Sequence, residues 1–144
     1  MKVVAQRVLE ASVKVDDKIV GKIDKGIMLL VSFTEGDDIK NIEYMAKKVA
    51  NLRIFDDNSG IMNLSVQDIN GKVLSVSQFT LYGDALKGNR PSYIKALNGD
   101  KARDLYELFN EKLKEFVPVE TGVFKADMKV SLINDGPVTI IIEK

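Results

Sequence analysis

The stretch GIMLLVSF, residues 26–33, constrains the fold more than any other. It begins with a glycine and has no polar residue until Ser32. A strand with one face in water alternates polar and apolar side chains. A strand without that alternation needs cover on both faces. The chain must therefore place layers on either side of this segment.

The surrounding pattern supplies those layers. Residues 2–9 alternate as a strand. Residues 11–15 and 18–23 read as two more strands, joined by a turn at Asp16-Asp17. Asp37 or Asp38 is placed to cap a helix running to about Leu52. Its apolar stripe is Ile39, Ile42, Met45 or Ala46, Val49 and Leu52. Asp56 to Gly60 reads as a loop, and Met62, Leu64 and Val66 alternate as a short strand. Asn70-Gly71 is a hairpin signal. A strand over 72–82 is expected next, then a loop over 83–91. A second helix is expected over about 100–116, with Ala102, Leu105, Leu108, Phe109, Leu113 and Phe116 on one side. Residues 119–124, 128–133 and 138–142 read as closing strands. Many strands with two helices, not strictly alternating, predict an α+β fold with a barrel-like mixed β-sheet.

The chain has 144 residues, the size of a single domain spanning 1–144. No apolar run approaches the roughly 18 residues of a membrane span, so no membrane partner is expected. There is no cysteine, which excludes a disulfide framework and fits a cytoplasmic location. There is no histidine either. Ser-His-Asp and Cys-His triads cannot be built, and zinc sites normally need His or Cys. An oxygen-ligated Mg²⁺ site is the metal option left; no metal or cofactor is expected. Twenty-one basic side chains balance 21 acidic ones, so any nucleic-acid contact must be a local patch.

Two stretches carry candidate chemistry. SQFTL, residues 77–81, ends a strand beside glycines and a basic loop. The plainest reading is a strand fraying into solvent, with Ser77, Gln78 and Thr80 merely wet; the sharper one is a pocket floor. NDGPVT, residues 134–139, lies between two expected strands. Asn-Asp-Gly-Pro is hairpin chemistry, and Pro137 leaves a cis Gly-Pro bond open. Lys87, Arg90 and Lys95 cluster around Tyr93, either as a solvated loop or as a phosphate contact. Arg7 is an exposed strand residue or one that reaches a neighbouring loop. Phe124 and Met128 are most simply core, or together form a flat slot for a base.

SQFTL and NDGPVT, in this order and spacing, resemble the D-aminoacyl-tRNA deacylases. VVAQRV, NLRIFDD with MNLSV, VSQFTLYGD, KGNRPS and ETGVFKADMKVSLINDGPVT extend the resemblance over essentially the whole chain. VSFTEGD at 31–37 departs from it, where relatives often have a glycine and a small apolar residue. The resemblance implies a homodimer and hydrolysis of the ester joining a D-amino acid, and glycine, to the 3′-terminal adenosine of tRNA. It implies a cis Gly136-Pro137 bond projecting into the partner subunit's site, where main-chain atoms of the Asn134 to Thr139 motif reject L-amino acids. It implies that Ser77, Gln78, Phe79 and Thr80 line the reaction centre, with Thr80 as the catalytic candidate. Arg7, Phe124 and Met128 would serve substrate binding, the last two around the terminal adenine. Lys87 and Arg90 would hold acceptor-end phosphates.

The competing readings are a relaxed deacylase with a trans Gly-Pro bond, a non-catalytic module that grips tRNA or single-stranded ends, and a structural dimer whose motifs are only turns.

Overall fold

In a computed structural model describing residues 1–144, the elements run β1 (Lys2–Val15), β2 (Lys18–Ile23), β3 (Gly26–Ser32), α1 (Ile39–Ala50), β4 (Phe55–Asp56), β5 (Met62–Leu64) and β6 (Lys72–Ser77). A 3₁₀ turn (Phe79–Tyr82) follows, then α2 (Gly99–Lys114), β7 (Val119–Thr121) and β8 (Lys129–Glu143). The main sheet is mixed, with order β2-β1-β3-β6-β7 and β8 on the other edge of β1. β3 runs parallel to β6, and β6 to β7; the other pairs are antiparallel. β2 curls back towards β6 and β7, so the sheet is a nearly closed barrel with two helices against it.

β3 fills the role its composition demands. It lies between β1 and β6, so its whole backbone is paired. Ile27, Leu29 and Val31 face a large core shared with Ile42, Met45 and Val49 of α1 and Tyr106, Phe109 and Leu113 of α2. Met28 faces a second core with Val8, Val13, Ile23, Leu74 and Val76 inside the barrel. Each such side chain contributes about 1.5–3 kcal/mol by leaving water. Gly26 fits because a Cβ there would lie 1.9 Å from the Lys72 carbonyl oxygen.

Local chemistry sets the ends. Asp38 caps α1, accepting from the Lys40 and Asn41 N–H groups at 2.9 and 3.1 Å. The Asn41 side chain accepts from the Asp38 N–H in return, completing a capping box. Asp37 instead accepts from the Thr34 N–H at 2.8 Å. Asp16 and Asp17 take positive φ and form the expected turn.

Five expectations are corrected. β1 is one strand where two were expected, because β8 pairs along its length. Asn70 has the positive φ of a turn, yet β6 pairs in parallel with β3 and no hairpin forms. The strand expected over 72–82 ends at Ser77: β3 stops at Ser32, and after the Gln78 N–H bonds the Val31 carbonyl at 2.8 Å no neighbour remains. Residues 119–124 are strand only as far as Thr121. Residues 128–133 and 138–142 are not two hairpin strands but the continuous β8.

Candidate active site

A cleft of about 410 Å³ opens where the parallel strands β3 and β6 end. That location follows from topology, since the C-terminal ends of parallel strands carry loops pointing to one side. Its walls are Val31 to Phe33, Val76 to Phe79, the start of α2 at Asn98, Gly99 and Ala102, and the segment carrying Phe124 and Met128. Three of the predicted residues, Ser77, Gln78 and Phe79, thus share one cleft with Phe124 and Met128. The pocket-floor reading of SQFTL is the one the fold supports. Phe124 and Met128 are neither fully buried nor free: half-buried, they line the cleft.

The 3₁₀ turn gives the cleft its polar rim. The Leu81 N–H turns back to the Gln78 carbonyl at 3.2 Å, and the Gly83 N–H to the Thr80 carbonyl at 2.9 Å. The N–H groups of Phe79 and Thr80 open the turn and have no backbone acceptor, as at any helical start. Thr80 is exposed at the edge of the cleft and does not line it. Its Oγ1 accepts a short hydrogen bond from the Gln78 side-chain amide. No titratable group bonds that hydroxyl.

Behind the cleft, α2 braces β6. The Tyr106 hydroxyl donates to the Ser75 carbonyl at 2.7 Å, and the Gly122 N–H donates to the same oxygen at 2.9 Å. The Tyr106 ring lies 6.0 Å from that of Phe124. Burial pushes the Tyr106 hydroxyl above its usual pKa, so it stays a neutral donor. Sequence periodicity missed this brace. It put Leu105, Leu108 and Phe116 on the buried face, where Tyr106 and Asn110 are more deeply buried.

Arg7, Asn134, Gly136 and Pro137 lie apart from this cleft in the same subunit. NDGPVT is a bulge in β8: Asn134 pairs with Val8 and Thr139 with Gln6, leaving Asp135 to Val138 opposite Arg7 alone. The Gly136–Pro137 bond is cis and its residues are exposed. Arg7 holds the bulge. Although 7 % exposed, it donates from Nη1 to the Ile54 carbonyl at 2.8 Å and from Nε to the Asp135 carbonyl at 3.3 Å. Its charge meets Asp135 Oδ2 at 3.1 Å and Asp56 Oδ2 at 3.4 Å. Of the two readings of Arg7, the one that reaches a neighbouring loop is correct. The Asn134 carboxamide accepts from the Val138 N–H and donates to Thr139 Oγ1, both at 3.1 Å. Gly136 has φ +114°, and a Cβ there would meet Val138 Cγ2 at 2.8 Å and Arg7 Nη2 at 3.0 Å.

Lys87 and Arg90 are exposed on the loop after the 3₁₀ turn, outside the cleft, and neither forms an ion pair. No group of three or more acidic side chains converges on a point. No helix is long and apolar enough to cross a membrane.

Comparison with known proteins identifies the family. The family described as D-Tyr-tRNA(Tyr) deacylase matches residues 4–143. A solved structure of a "c-Myc DNA Unwinding Element Binding Protein" is 42% identical, covering 100% of this chain and 99% of its own, with a TM-score of 0.94. Another, of "a probable eukaryotic D-amino acid tRNA deacylase", shares the fold at 17% identity and a TM-score of 0.82, covering 98% of this chain and 97% of that one. The match over nearly the whole chain establishes that the protein belongs to the D-Tyr-tRNA(Tyr) deacylase family and is an aminoacyl-tRNA hydrolase.

Proposed function

We propose that the protein hydrolyses D-aminoacyl-tRNA, and glycyl-tRNA, as a single-domain, cytoplasmic homodimer that rejects L-aminoacyl-tRNA through Gly136-Pro137 of the partner subunit. One observation carries the reading. The cleft gathers Ser77, Gln78 and Phe79 with Phe124 and Met128, while the Gly136-Pro137 bulge, tied down by Arg7, lies outside it and is exposed. A bulge so placed suits the cleft of a second copy.

The chemistry needs little acid–base power, because an aminoacyl ester is already activated; positioning and oxyanion stabilisation suffice. Phe124 and Met128 would hold the terminal adenine. The unbonded N–H groups of Phe79 and Thr80 would receive the oxyanion as water adds to the acyl carbon. The ribose oxygen then leaves with a proton. Thr80 acts as an organiser: no base stands beside it, and its oxygen already accepts from Gln78. The substrate's own 2′-hydroxyl serves to activate the water. The filter works by exclusion. A backbone wall bonds the α-amino group and leaves no room where an L side chain points; glycine has nothing to exclude. Lys87 and Arg90 hold the acceptor end.

The test is loss of the ester from D-Tyr-tRNA and L-Tyr-tRNA in parallel, with and without chelator. Rapid loss of the D form alone, unchanged by chelator, is expected. Loss of both forms would replace the filter with a relaxed deacylase. The 42% identical relative is named as a DNA-unwinding-element binding protein. A pure binding module would show saturable nucleic-acid binding and no turnover.

A further inference from the structure

We infer that Tyr93 is a stacking platform for the base that precedes the terminal adenosine, with the free cations of its loop gripping the adjoining phosphates. The inference rests on the deacylase reading of the cleft and extends it outward by one nucleotide. Phe79 lines the cleft yet is 45 % exposed, and Tyr93 packs edge-on against it with ring centroids 5.2 Å apart. Tyr93 itself lies outside the cleft and is 37 % exposed. Aromatic groups therefore continue from Phe124 inside, through Phe79 at the rim, to Tyr93 beyond it. Successive bases of a single strand stack on surfaces of this kind, and the interaction tolerates any base.

The backbone that carries the ring is hydrogen-bonded on both sides. Asp84 and Ser92 exchange both backbone hydrogen bonds at 2.8 Å, closing the loop just before Tyr93. The Ala96 N–H bonds the Tyr93 carbonyl at 2.9 Å, and the Leu97 N–H bonds the Phe33 carbonyl of the cleft wall at 2.9 Å. Thr34 Oγ1 adds a bond to the Lys95 carbonyl at 2.7 Å. Hydrogen bonds thus tie the platform to the wall of the cleft. Charge completes the case. Lys87, Arg90 and Lys95 flank Tyr93 in the sequence, are exposed, and form no ion pair, whereas Lys101 and Arg103 at the start of α2 are paired. Uncommitted cations beside an exposed aromatic suit a nucleic-acid backbone better than an apolar protein surface.

The experiment compares D-tyrosyl-adenosine, which ends at the nucleoside, with D-Tyr-tRNA, using wild type, Tyr93→Phe and Tyr93→Ala. Tyr93→Ala should raise KM for the tRNA about tenfold more than for D-tyrosyl-adenosine, the size of one lost stack. Tyr93→Phe should stay close to wild type. Equal losses on both substrates would mean that Tyr93 only props Phe79, and would overturn the platform. So would no loss on either, or a change in oligomeric state, which would make the loop a contact between copies. If wild type hydrolyses neither substrate, the deacylase reading fails. The platform is then judged by binding of an uncharged RNA oligonucleotide ending in CCA, which Tyr93→Ala must weaken about tenfold.

Discussion

Thr80 and Gly136 are the residues whose roles separate most cleanly by substitution. A nucleophile cannot be removed without losing several orders of magnitude in turnover. An organiser can. We expect Thr80→Ala to keep turnover of D-Tyr-tRNA within about tenfold of wild type, and Thr80→Ser closer still, in single-turnover assays. Gly136→Ala meets a different obstacle: a left-handed φ, with Val138 and Arg7 against the new methyl group. The cost is about 1–3 kcal/mol of stability, read from the shift in a urea midpoint. The D-over-L rate ratio should fall in the same variant; an unchanged ratio would count against the filter. At this scale the sequence was informative about residue type and silent about distance. Arg7 was legible as a choice between exposure and reach. The deciding partners, Ile54, Asp56 and Asp135, lie far along the chain.

Elements were legible where one period dominated. The apolar run of β3 fixed a strand covered on both faces, and the helical stripe of α1 was correct at Ile42, at both alternatives Met45 and Ala46, and at Val49, but Ile39 is exposed in the first turn and Leu52 lies past the helix end. Failures came where distant partners decide. Hairpin and bulge chemistry use the same residues, so NDGPVT could not reveal that β1 stays alongside β8 through it. SQFTL alternates like a strand, but the neighbour it needs stops at Ser32. The close approach of β3 to β6 gives a sharp prediction. Gly26→Ala would place a methyl 1.9 Å from a ladder carbonyl that cannot move without opening the sheet. A loss of about 3 kcal/mol or more is expected, seen as a lowered denaturation midpoint or no soluble protein.

The whole molecule carries a pH dependence readable from one buried phenol. Burial, with Asp37 and Glu143 adding to it, pushes the Tyr82 hydroxyl up to about 12 from an ordinary 10.0. The folded state keeps a proton there that the unfolded chain releases. Stability should therefore be complete below about pH 10 and decline between about pH 10 and about pH 12. Urea midpoints across that range should show the fall, and Tyr82→Phe should lessen it. The balanced charge sets a second whole-molecule expectation. If only the proposed Lys87 and Arg90 contacts meet the acceptor end, tRNA binding should weaken only modestly as salt rises. A steep salt slope in equilibrium binding would mean a larger footprint.

The pairing of β1 with β8 has a consequence for how the protein is made. Lys2 pairs with Glu143 and Lys14 with Lys129, so β1 waits for β8, more than 100 residues later, to cover one of its edges. During synthesis β3 and β2 can occupy one side of β1, while the other side offers unpaired N–H and C=O groups. That interval is long because contacts so distant in sequence form slowly. A nascent chain halted before Lys129 would carry an open, adhesive edge, and the strand that covers that edge is also the one bearing Gly136 and Pro137. Covering that edge and placing the proposed filter are therefore a single folding step.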